Sequence, residues 1–114
     1  MNYQAEYEAL IERATSLVPG LPSPDQEVGR RLLSLCAAVA KRPPPSAPGA
    51  APSSDELDLK RELGRCTELM GRRSTRSLPL AALGRAALAH LGDDQRSLDE
   101  FLADCDRKLA LLGL

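Results

Sequence analysis

Aromatic side chains are nearly missing from this sequence, which has Tyr3, Tyr7 and Phe101 and no tryptophan. β-Branched residues are almost as scarce: Val18, Val28, Val39, Ile11, Thr15, Thr67 and Thr75. Strands draw on these two kinds of side chain, so their shortage argues against a sheet. His90 is the single histidine, and Cys36, Cys66 and Cys105 stand far apart with no Cys-x-x-Cys pair. An odd set of isolated cysteines is no disulfide framework. Residues 2–14 carry acids where a secretion signal needs an apolar run. The thiols are therefore expected reduced and buried, in an intracellular protein, cytoplasmic or nuclear. No apolar run reaches the ~20 residues of a bilayer span, so no membrane partner is expected. A net charge of −1 exerts no overall pull on nucleic acid or anionic lipid.

In place of the missing residues the chain has 21 leucines and 16 alanines, the best helix formers among apolar residues. The expected fold class is all-α, a small bundle of about five helices in one domain of 114 residues. Its organising stretch is Ser77 to Gly92, where only Arg85 and His90 are polar between Leu78 and Leu91. A helix apolar nearly all round must be enclosed by neighbours. Its alanines and Gly84 keep it thin enough for other helices to approach its backbone.

The flanking segments are one-sided. Tyr3, Tyr7, Leu10, Ala14 and Leu17 step by 4, 3, 4 and 3 along a first helix that Pro19-Gly20 ends. Ser23-Pro24-Asp25-Gln26 reads as a capping box opening a second helix with Val28, Leu32, Leu35 and Val39 inward. Residues 1–41 thus form a helical hairpin. Residues 42–54, five of them proline, form an extended connector that contributes nothing to a core. Residues 55–114 form a three-helix unit. Its first helix, opened by a Ser53–Glu56 box, turns Leu59, Leu63, Cys66 and Met70 inward and is expected to end at Gly71 in left-handed geometry. Ser77 is expected to cap the central helix. The last helix starts at Asp93 or Asp94 and carries Leu98, Leu102, Cys105, Leu109 and Leu112, with Gly113 and Leu114 frayed. Leu83-Gly84, Gly92, Ser97 and Phe101 resemble one tetratricopeptide repeat across residues 83–109. The stretch has one residue too many and no second copy at the ~34-residue period, so the resemblance implies a helical hairpin and no family.

Chemistry-bearing patterns are few. A Cys–His pair needs an orienting third group, and each cysteine lies on an apolar helical face where it acts as a small hydrophobe. His90 reads as a partly exposed residue near a helix end. Asp99, Glu100, Asp104 and Asp106 lack metal-ligand spacing and no Glu-x-x-His accompanies them, so they read as a solvated face. Gly29, Gly64 and Gly84 are isolated helix glycines, explained by close helix crossings or simple tolerance. Catalytic residues, metal, cofactor and small-molecule substrate are accordingly all expected to be absent. The resulting expectation is a non-catalytic interaction module, an adaptor or complex subunit that binds partner helices through apolar surface. Its partner would be another protein or its own copy in a homodimer. Candidate contacts are Tyr3, Tyr7, Leu10 and Leu17 on the first stripe and Arg42, Pro45 and Pro48 of an SH3-ligand-like connector. Arg72, Arg73 and Arg76 of the basic loop complete the set. A nucleic-acid-associated regulator using residues 60–76 ranks second, since acids dilute that segment and no aromatic accompanies it for stacking.

Overall fold

The computed structural model describes residues 3–41, 54–72, 75–92 and 95–113. These residues form five helices and no strand: α1 (Tyr3–Thr15), α2 (Ser23–Ala40), α3 (Ser54–Gly71), α4 (Leu78–Leu91) and α5 (Gln95–Leu111). A 3₁₀ turn, Val18–Gly20, joins α1 to α2, and a second, Thr75–Ser77, runs into α4. The all-α expectation holds.

The 14 residues of α4 form the axis. This helix packs against each of the other four, which follow the order α3, α2, α1, α5 around it. Leu80, Ala81, Ala82, Leu83, Ala86 and Ala87 are fully buried, as a rod with an apolar circumference requires. The inward stripes of the outer helices meet it: Leu32 and Val39 from α2, Leu63 and Met70 from α3, Leu98 and Leu109 from α5. The hairpin of α1 and α2 docks on this unit within the same chain. Along their shared seam α1 and α5 run parallel, Arg13 bonding Asp106 while Glu6 and Asp99 line the other end.

Tyr7 is the aromatic that locks α1 in place. Its ring is buried, and its hydroxyl donates to the Ala86 carbonyl of α4 at 2.7 Å. The hydroxyl is one buried donor with one acceptor, and that acceptor lies on an α-helix. Tyr7→Phe is therefore expected to cost about 1 kcal/mol, read as a lower urea midpoint at unchanged m-value.

The caps differ from expectation. Ser23 is the first residue of α2, and Pro22 stands in the cap position, where no side-chain bond is possible. Its carbonyl accepts from the Asp25 and Gln26 amides at 2.9 and 3.0 Å. The Gln26 side chain reaches further back, donating to the Leu21 carbonyl at 2.9 Å, and so braces the turn instead of closing a box. Ser77 does not cap α4, because the preceding 3₁₀ turn already holds it in helical geometry. Its hydroxyl donates to the Met70 carbonyl at 2.5 Å, fastening the end of α3 to the start of α4. α3 does end at Gly71, but not in left-handed geometry, and the left-handed glycine among the described residues is Gly113, at φ 83° beyond α5. Ser54, the last residue assigned to the connector, instead begins α3; the rest of the connector, the Ser53 cap and the start of α5 at Asp93 or Asp94 lie outside the described residues.

Candidate functional site

Four outer helices do not close a ring around α4. The order α3, α2, α1, α5 leaves a gap between α3 and α5, and the central helix surfaces there. Arg85 is its one exposed residue, with Leu88 and Ala89 half-buried on the same face one turn on. Phe101 and Ser97 of α5 form one wall of a cleft of about 430 Å3 over these residues, and Gly92 closes its end. On α3, Lys60, Gly64, Thr67 and Gly71 recur at helical spacing on the flank turned away from α2. An added Cβ at Gly64 meets nothing within 4 Å, so this position faces open space, whereas Thr67 is buried against α4. The Arg85 guanidinium lies near Gly71, 3.3 Å from where a Cβ would stand.

Two further seams are open. Leu10 and Leu102 floor a groove of about 400 Å3 between α1 and α5, rimmed by Glu6, Asp99, Asp106 and Arg13. A third groove, about 340 Å3 between α2 and α3, is lined by Val28 and Leu69 with the Arg31–Glu62–Arg65 charges across it.

The candidate contacts from sequence are scattered. Tyr7, Leu10 and Leu17 face the core of their own chain. Tyr7 is held by α4, and Leu10 also floors the groove between α1 and α5. Tyr3 is the first residue of α1. Arg72 is exposed and pairs with Glu68 at 2.5 Å, one helical turn back. Arg76 extends over Gly20. Arg42, Pro45, Pro48 and Arg73 lie outside the described residues. In the basic segment Lys60 and Arg76 have no ion pair among the described residues, whereas Arg61 pairs with Asp58 and Arg65 with Glu62. Arg85 has neither a hydrogen bond nor an ion pair among the described residues. Its place as the one charge in an apolar helix was the available signal for this face, through Leu88, Ala89 and Gly92 at 3, 4 and 7 residues on.

The nucleophiles are shielded. Cys36, Cys66 and Cys105 are free and buried. Burial pushes the Cys36 thiol far above its ordinary value, raises Cys66, and pushes Cys105 up to about 12. Each therefore stays a protonated thiol at neutral pH. The Cys105 thiol donates to the Pro79 carbonyl at 3.4 Å. The His90 and Tyr7 rings meet in a T-shaped pair, centroids 5.9 Å apart, and the His90 Nε2 has no hydrogen-bond partner among the described residues. The acids of α5 serve its own cations. Burial by itself would raise the Asp104 carboxyl, but hydrogen bonds from Lys108 and Arg107 hold it below the ordinary range. Among the described residues no group of three His, Cys, Asp or Glu is placed to hold a metal ion. None of their helices is long and apolar enough to cross a membrane. No family model, curated protein or solved structure matches the chain.

Proposed function

We propose that this chain is a non-catalytic interaction module, an adaptor or a subunit of a larger complex, that receives a helix of a partner protein. The observation that carries this reading is the incomplete ring around α4. An apolar rod is wrapped on every side but one, and on that side Leu88, Ala89 and Phe101 remain partly open beside an unpaired arginine. A helix laid into such a groove buries apolar side chains at i, i+3, i+4 and i+7, a common mode of recognition between proteins. The nucleic-acid reading draws less support, because the cations of α3 are largely matched by carboxylates one turn away.

The test pairs light scattering after size exclusion with affinity capture from the source cells. The expected result is a monomer mass that does not change with concentration, together with one protein retained in stoichiometric amount. A chain that stays monomeric and retains no protein would overturn the reading.

A further inference from the structure

The gap between α3 and α5 has a chemistry of its own, and from it we infer the kind of helix that fills it: an acidic amphipathic helix of a partner protein. This inference rests on the module reading above and narrows it to one slot and one charge.

Three observations converge on the slot. Its floor is apolar, built from Leu88 and Ala89 of α4 with Phe101 beside them. On its α3 side Gly64, two turns before the Gly71 that Arg85 reaches, has no side chain, and nothing stands within 4 Å of the place a Cβ would take. A partner backbone can therefore approach as closely as helices do at glycine contacts. Its free charge is positive. Arg85 and Lys60 have no ion-pair partner among the described residues, whereas Lys108 and Asp104 on the α5 side neutralise each other. Seven other cations of the described surface lie beside carboxylates, and the remaining Arg30, Lys41 and Arg76 stand on elements other than those that flank the slot. A carboxylate on the incoming helix would meet Arg85 at the edge of an apolar seam, where water screens the pair less than at an open surface. A second copy docked through the same face by two-fold symmetry would set Arg85 and Lys60 near their own equivalents, so self-association is disfavoured here. The groove between α1 and α5 has the opposite rim, with Glu6, Asp99 and Asp106 against Arg13. The two faces therefore select different partners.

A displayed library of roughly 16-residue helices tests this, with a fixed Leu/Ala stripe and each flanking position either Glu or Lys. Selection on the full chain is expected to enrich acidic flanks. The enriched peptide, labelled and followed by anisotropy, is expected to lose about tenfold in affinity to the Arg85→Glu variant and more to Gly64→Trp, which fills the slot. Amide shifts on binding are expected at residues 85–92 and 97–101. Both substituted positions face solvent or open space, and unchanged thermal melts would confirm that the variants fold. Enrichment of basic or mixed flanks, no enrichment at all, or binding indifferent to both substitutions would overturn the inference. So would a dimer that Gly64→Trp dissociates, or tight binding that appears only when residues 42–53 are deleted, because a second copy or the connector would then be the occupant. A cellular partner whose capture survives both substitutions also overturns the slot while leaving the module reading intact.

Discussion

Gly84→Ala is expected to destabilise the fold by about 2–3 kcal/mol, from the addition of one methyl group. The added Cβ would stand 2.0 Å from Thr67 Oγ1, 3.0 Å from Thr67 Cβ and 3.1 Å from Leu32 Cδ1. Rotating the threonine moves its hydroxyl but not its Cβ, so α3 and α4 must separate or α2 must shift. A gain of about 1 kcal/mol in helix propensity works the other way and is already included in that range. Gly64, one helix over, supplies the control. An added Cβ there has no neighbour within 4 Å, and Gly64→Ala is expected to raise stability by about 1 kcal/mol. Urea unfolding of both variants measures a difference near 3–4 kcal/mol that only tertiary packing can produce. In a Thr67→Ala background the cost at Gly84 is expected to shrink by about 1 kcal/mol, because the buried and unpartnered Thr67 hydroxyl is gone. A Gly84→Ala midpoint equal to or above that of the parent would mean that the two helices do not cross here.

The second large effect is expected in alkali. Folded thiols hold their protons well above the ordinary value of 9.0, and unfolded ones release them there. The stability this contributes is complete below pH 9 and is lost as pH climbs toward the folded values, about 12 for Cys105. Cys36 and Cys105 together steepen the decline to about 3 kcal/mol per pH unit. Cys66 moves in the same direction. Tyr7, also raised by burial, joins above its ordinary 10.0. By pH 10.5 the loss from the two cysteines reaches about 4 kcal/mol, a large share of the ~5–15 kcal/mol that holds a domain of this size. Denaturant melts under reducing conditions at pH 8, 9, 10 and 10.5 would record this slope. Replacing Cys36 and Cys105 by alanine is expected to flatten it by two protons, whatever the variant's starting stability. A stability that stays level across this range would mean that the thiols ionise in place and are not enclosed.

How far the sequence foretold this structure depends on which level of it is asked about. Burial of α4 was legible because its circumference is apolar, and no arrangement of neighbours changes that requirement. The close crossing at Gly84 was legible as one alternative for an isolated helix glycine. The caps misled because proline and a 3₁₀ turn set the backbone of Ser23 and Ser77 before their hydroxyls could act, and Ser77 found the Met70 carbonyl across a hairpin instead. The site was harder. A stripe such as Tyr7, Leu10 and Leu17 says that a surface is covered without saying by what, and here the cover is the chain itself. Arg85 was conspicuous, but its meaning depends on α3 and α5 failing to meet, which is a property of five helices together.

The parallel seam of α1 with α5 also bears on how the molecule is made. α1 can meet α5 only when α5 has emerged from the ribosome, some 80 residues later. At about 5–20 residues per second, each nascent chain carries a greasy, half-wrapped α4 for a second or more before α5 arrives. Chaperones that recognise short leucine- and alanine-rich segments have their opportunity in that interval, and the α1–α5 seam closes only after α5 has left the ribosome.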